Sequence, residues 1–150
     1  MSRFGLMINT TSHYLNWQVV ATVSSEVAGG FNGCMLPSKS NSASSQVSCS
    51  KVLEPLNELK VVAGGSWYIA AIAIFPKFRG RGFGQSLLQK AELHARLTNA
   101  KYLTLMVGSF NRGAHQLYKR AGFEEWESRP FSIVPGSDQE GESIQMYKVL

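Results

Sequence analysis

Ile72-Ala73-Ile74-Phe75-Pro76-Lys77-Phe78-Arg79-Gly80-Arg81-Gly82-Phe83-Gly84-Gln85-Ser86-Leu87-Leu88 is the stretch whose reading decides the fold. Its apolar start reads as a strand that ends near Phe75, because Pro76 cannot donate to a sheet ladder. From residue 84 onward, positions 84, 87, 88, 91 and 95 fall at helical spacing, which predicts a helix over 84–98. Between strand and helix lies a loop with glycines at 80, 82 and 84 and arginines at 79 and 81.

Glycine admits positive φ and lets a ligand approach the main chain closely. A helix N-terminus adds free N–H groups and a partial positive charge, so strand, glycine loop and helix together make an anion site. Arg79 and Arg81 bring donors suited to phosphate oxygens. The expected ligand is a phosphate or pyrophosphate held mainly by backbone amides, and the alternative is a glycine-rich turn that binds nothing. A Walker-type loop is excluded because no Gly-Lys-Ser/Thr follows the spacer. A dinucleotide fingerprint fails at Gln85, which stands where its last glycine belongs.

The chain outside the loop narrows the class. Its 150 residues, 44% apolar and 17% charged, fit one globular domain over 1–150. No apolar run reaches the roughly 18 residues of a membrane span, and the first residues lack the apolar core of a leader. Cys34 and Cys49 are too few for a disulfide framework and sit in no metal-ligand cluster, so a reducing, cytoplasmic setting without a metal is expected. The net charge of +5 suits an anionic cofactor. Apart from 77–81 the basic residues are scattered and no stacking-aromatic motif accompanies them, which argues against nucleic acid.

Taken in order, residues 1–16 read as a short strand or an irregular lead-in. A strand follows over 17–24, then a turn or bulge at Gly29-Gly30, then a second strand over 31–36, the pair forming an antiparallel hairpin. Residues 38–50 are a serine-rich loop, and 52–61 a short helix. Residues 66–75 form the long central strand, free of charge and expected to be buried on both faces. After the helix, with Asn99 as left-handed cap, a buried strand over 101–107 completes a crossover between parallel neighbours. Asn111 is an N-cap for a helix over 112–121, Gly122 stops it, and Phe123 packs back. A strand over 122–127, a loop over 129–142 and a strand over 144–150 end the chain.

Arg79, Gly82 and Gly84 match the Gln/Arg-x-x-Gly-x-Gly/Ala loop of the GCN5-related N-acetyltransferase (GNAT) superfamily. Asn111, Ala114, Leu117, Tyr118, Gly122 and Phe123 resemble that superfamily's Asn-x-x-Ala-x-x-Leu-Tyr-x-x-x-Gly-Phe segment. Both motifs stand in the family's order, with strand, helix and strand between them, and the resemblance covers residues 66–128. It implies an α/β (α+β) fold with a mixed central sheet, antiparallel in its first half, splayed parallel central strands and helices on both faces. It implies acetyl-CoA as cosubstrate, its pantetheine arm along Ile72, Ala73 and Ile74. The pyrophosphate falls to Gly80, Arg81, Gly82, Phe83 and Gly84, with Arg79 before them and Gln85 and Ser86 just inside the helix. Asn111 and Ala114 border the cofactor chain, and Tyr118 protonates the departing thiolate.

The implied reaction is direct acetyl transfer to a primary amine, and a cofactor-sensing module without turnover is the alternative. Two departures from the family stand out. Met106 occupies the strand position where several members carry a glutamate base, which leaves Glu54, Glu58, His115 or a water chain as base. Only 16 residues precede Trp17, where the family has a strand and two helices. An abbreviated acceptor pocket, or one completed in a homodimer, is therefore expected.

Overall fold

A computed structural model describes residues 2–9, 16–36, 38, 63–132 and 140–150. Strands β1 (Ser2–Asn9), β2 (Asn16–Val23), β3 (Glu26–Met35), β4 (Trp67–Ile74), β5 (Tyr102–Gly108), β6 (Glu124–Ser132) and β7 (Glu140–Val149) form one sheet, ordered β1-β2-β3-β4-β5-β7-β6. Neighbours are antiparallel except β4 and β5, which run parallel. Between those two the chain passes through helix α1 (Phe83–Leu97), and between β5 and β6 through α2 (Arg112–Arg120).

The hairpin of β2 and β3 turns on two serines rather than two glycines. Ser24 and Ser25 take φ of 49° and 69°, the handedness that matches the twist of paired strands in a two-residue turn. The expected break at Gly29-Gly30 is thus corrected, since β3 begins at Glu26 and runs through both glycines. A bulge does fall beside them, at Ala28, where the register with β2 shifts. What requires glycine there is close approach, because a Cβ at Gly30 would overlap the Val19 carbonyl and one at Gly29 the Ala73 carbonyl.

A second bulge shapes the core. Gly33 pairs with Ile69 and Asn32 with Ala71, which leaves Ala70 as an extra residue in β4. The bulge reverses the alternation of the strand, so Ile72 and Ile74 join Trp67 and Ile69 on the same core face. Trp67 is fully buried there, with the Phe31 ring edge-on at 6.1 Å. Leu103, Leu105 and Val107 of β5, Leu87, Leu88, Ala91 and Ala95 of α1, and Tyr118 of α2 belong to the same cluster. Both described helices therefore pack on this face. The helix expected over 52–61, and any helical cover of the opposite face, lie outside the described residues.

The Trp67 ring fills the space above Gly33, where a Cβ would overlap it and approach the Tyr68 carbonyl to 2.8 Å. Gly33→Ala should therefore cost about 1–3 kcal/mol, the usual price of overpacking. A urea unfolding midpoint unchanged from the parent would show that the ring can yield.

Three further expectations are settled. Asn99 takes φ of 57° just past α1, as its reading as a left-handed cap requires. The central strand is buried on both faces only at Trp67, Tyr68 and Ile69, whereas Ala70, Ala71 and Ala73 are exposed. The reason is that β5 pairs with β4 only from Trp67–Leu103 to Ile69–Leu105, beyond which the two diverge. The loop expected over 129–142 is shorter, because β6 continues to Ser132 and β7 starts at Glu140. Pro130 is tolerated inside β6 because that strand lies at the sheet edge.

Candidate active site

The divergence of β4 from β5 opens a cleft of about 910 Å³, walled by Ile72, Ala73 and Ile74 on one side and by α2 on the other. The glycine loop and first turn of α1 close its end. Local chemistry sets that loop. Pro76 starts a single 3₁₀ turn, Pro76–Phe78, and Phe78 is buried beneath it. Arg79 curls back so that its Nε donates to the Ile74 carbonyl at 3.0 Å, tying the loop to the strand end.

Gly80 and Gly82 then take φ of 72° and 81°, and nothing stands within 4 Å of a Cβ built at either. Their conformation demands glycine, and the space above them is open to a ligand. Gly82 caps α1 without a side-chain bond, and no acidic residue occupies the first turn. The first helical bond runs from Ser86 N to Gly82 O at 3.1 Å, so the amides of Phe83, Gly84 and Gln85 have no intrahelical acceptor. Gly84 serves packing instead, since a Cβ there would meet Leu117 of α2 at 2.8 Å.

The second helix presents its own N-terminus to the cleft. Asn111 Oδ1 accepts from Ala114 N at 3.3 Å, and Gly113 lines the opening with nothing near its Cβ position. At the other end Phe123 N donates to Tyr118 O and Gly122 N to Lys119 O, with Gly122 at φ 92°. This is a Schellman stop, and its apolar contact is the Tyr118–Phe123 ring pair at 6.0 Å. The Tyr118 side chain is thereby held between core and cleft. It is 6% exposed, and desolvation pushes its phenol above the ordinary 10.0. Its hydroxyl has no hydrogen-bond partner among the described residues and is not among the fully buried polar atoms.

Of the residues singled out from sequence, Ile72, Ala73, Ile74, Arg79, Gly80, Gly82, Phe83, Gly84, Gln85, Asn111, Ala114 and Tyr118 line this one cleft. Arg81 and Ser86 do not. The Arg81 guanidinium lies 5.7 Å from the Phe78 ring, and the Ser86 hydroxyl donates to Gly82 O at 3.2 Å. Sequence reasoning missed Phe78, Gly113, Leu117, Arg120 and Ala121 as lining residues. Leu117, Arg120 and Ala121 follow Gly113 at steps of four, seven and eight, one side of a helix.

No carboxylate lines the cleft among the described residues. Met106 is half-buried on β5. His115 Nε2 lies 2.8 Å from Glu125 Oε1, away from the cleft, and Lys119 reaches the same oxygen at 2.9 Å. The Lys119 hydrogen bond, with that of His115 added, holds the Glu125 carboxyl below its ordinary range. Glu54 and Glu58 lie outside the described residues. Among the described residues there is no cluster able to hold a metal ion, and no helix is long and apolar enough to cross a membrane.

Comparison with known proteins places this geometry. The family model for acetyltransferases of the GNAT family matches residues 14–123. Over 59 residues the chain is 46% identical to an uncharacterized N-acetyltransferase of Methanocaldococcus jannaschii, a match covering 39% of this chain and 26% of that protein. The ribosomal-protein-S18-alanine N-acetyltransferase from Escherichia coli superposes with a TM-score of 0.68 at 16% identity, covering 99% of this chain and 94% of that one. A Bacillus subtilis acetyltransferase in complex with CoA gives a TM-score of 0.67 at 15% identity, over 100% and 99% of the two chains. At such identities the likeness to the solved structures shows the fold alone. The family model spans well over half of the sequence, and on that ground the chain belongs to the acetyltransferase (GNAT) family.

Proposed function

We propose that the protein is an N-acyltransferase that moves an acetyl group from acetyl-CoA to a primary amine, with both substrates in the cleft at once. The observation that carries this reading is convergence. One cleft joins unpaired backbone along β4, a cradle of amides from Gly80 to Gln85, and a desolvated phenol at Tyr118. The cradle fits a pyrophosphate, because the space over Gly80 and Gly82 is open and no acidic side chain competes for the amides. The open edge of Ile72, Ala73 and Ile74 fits the amide-bearing arm between pyrophosphate and thioester. The cofactor supplies the activated acyl carbon and a leaving thiolate.

This chain's residues position and protonate. The amine nitrogen bonds to the acyl carbon as the carbon–sulfur bond breaks, and the nitrogen gives up a proton to solvent. Backbone N–H groups on the open side of β4 are suited to stabilising the developing oxyanion. The Tyr118 hydroxyl donates its proton to the sulfur. No side chain in the described lining is arranged as an activated nucleophile, which favours direct transfer over a covalent acyl-enzyme. The cytoplasm, where acetyl-CoA and free amines meet, is the compartment that suits this reading.

Thiol release from acetyl-CoA, followed across a panel of peptide α-amines, lysine side chains and small amines, tests the proposal. Release matched one-to-one by N-acetylated product in the mass spectrum is the expected result. Tight CoA binding with no amine-dependent release would instead point to a sensing module, the reading that the carboxylate-free lining favours.

A further inference from the structure

Three aromatic rings stand together on the sheet face turned away from both described helices. Leu103 and Met146 belong to the core, so their strand neighbours Tyr102 and Tyr147 point the other way. Trp126 joins them from β6, where it is the extra residue of a bulge between Glu125 and Glu127. The ring centroids are 5.9 Å apart for Tyr102 and Trp126, 6.1 Å for Tyr102 and Tyr147, and 5.3 Å for Trp126 and Tyr147. Packed as they are, Trp126 is still 43% exposed and Tyr102 37%, and Val149, opposite Tyr102 in the ladder, is 64% exposed. Scattered apolar residues are ordinary surface, whereas a contiguous exposed group marks an interaction site.

The charge at these rings is negative. Glu124 is the ladder partner of Tyr147, whose hydroxyl donates to Glu124 Oε2 at 3.0 Å. That hydrogen bond holds the phenol above its ordinary 10.0, so the donor is neutral and leaves the carboxylate charge uncompensated. Cations on the neighbouring elements are already paired, Lys148 with Glu92, Lys119 with Glu125 and Arg129 with Glu127. Aromatic faces beside a carboxylate attract a cation, and a guanidinium suits both, since it stacks flat on a ring and donates sideways. A second copy docked symmetrically would instead bring two Glu124 carboxylates to one contact. We propose that Tyr102, Trp126 and Tyr147 form a docking site for an arginine-bearing segment of a polypeptide partner, its guanidinium stacked on the exposed indole and donating to Glu124. The site is separate from the cleft, because Tyr102 begins β5 whereas β4 and β5 part only beyond Leu105. It does not depend on the acyl-transfer reading.

The test is titration of an N-acetylated, C-amidated Gly-Arg-Gly-Arg-Gly peptide into ¹⁵N-labelled protein, read at the Trp126 indole N–H, which Trp126→Leu identifies. The same peptide with citrulline, a neutral isostere of arginine, is the control. The arginine peptide should move the indole signal on a saturable curve, with a dissociation constant on the order of a millimolar. The citrulline peptide should bind about fivefold more weakly. Glu124→Gln, and Trp126→Leu read at the Tyr102 and Tyr147 amides, should each weaken arginine-peptide binding about threefold to fivefold. Equal binding of the two peptides would overturn the inference, as would arginine-peptide binding that neither substitution weakens. An indole left unmoved would overturn it too, and self-association of the parent abolished by Trp126→Leu would then assign the patch to a second copy.

Discussion

Tyr118→Phe should lower turnover about 10²-fold while leaving cofactor affinity and folding almost untouched. The substitution removes one hydroxyl whose ring stays packed against Phe123. Because that hydroxyl has no partner among the described residues, no buried acceptor is orphaned by its loss. The missing interaction matters mainly as the sulfur gains charge, so kcat should fall and the CoA dissociation constant should not. The size is the lower end of what a positioned general acid contributes.

Its pH behaviour follows from burial. Desolvation raises the phenol above its ordinary 10.0, so the group remains a proton donor through neutral and mildly alkaline pH. The raised native pKa stabilises the fold below pH 10, and that contribution is lost as pH rises from there through the native value. Tyr118→Phe should erase this alkaline slope from a plot of stability against pH. Unchanged kcat in the variant, with a true acceptor, would assign Tyr118 to packing.

Gly82→Asp should remove most of the thermal stabilisation by CoA. The parent gains about 2.7 kcal/mol at a hundredfold excess over Kd. A carboxylate at the cap of α1 would occupy the open space above Gly82 and repel phosphate from the amides beneath. If affinity falls 10²-fold, the same ligand concentration stabilises by only about 0.4 kcal/mol. Gly82→Asn is the control, because asparagine matches the size and tolerates the 81° φ without charge. Differential scanning fluorimetry in which both variants kept the full shift would remove the phosphate assignment.

The loop was the most legible part of the molecule because its function is local. Glycines at alternate positions, a proline stop and a helical period all act within a few residues, and their reading carried over to Gly80, Gly82 and the start of α1. The caps at Asn99, Asn111 and Gly122 were legible for the same reason. What escaped depends on partners distant in sequence. Gly29-Gly30 looked like a turn or bulge, and a bulge does fall beside them, yet those glycines answer to the carbonyls of Ala73 and Val19 across the sheet. The run of Ala70 to Ile74 looked doubly buried because it is wholly apolar, yet Ile72, Ala73 and Ile74 line an open cleft. The bulge at Ala70, which keeps Ile72 and Ile74 on the core face, is a property of the pairing with β3 and leaves no local mark. Arg120 is charged and so falls outside the apolar positions of α2, although it lines the cleft with them.

Titrating CoA into ¹⁵N-labelled protein and following the backbone amides tests the central claim most directly. The amides of Gly80, Gly82 and Gly113, together with Ile72 to Ile74, should move on a common saturable curve, because they border the cleft. Gly33, which lies outside its lining and packs against Trp67, should stay in place. Saturable binding that left Gly80, Gly82 and Gly113 unmoved would contradict the account.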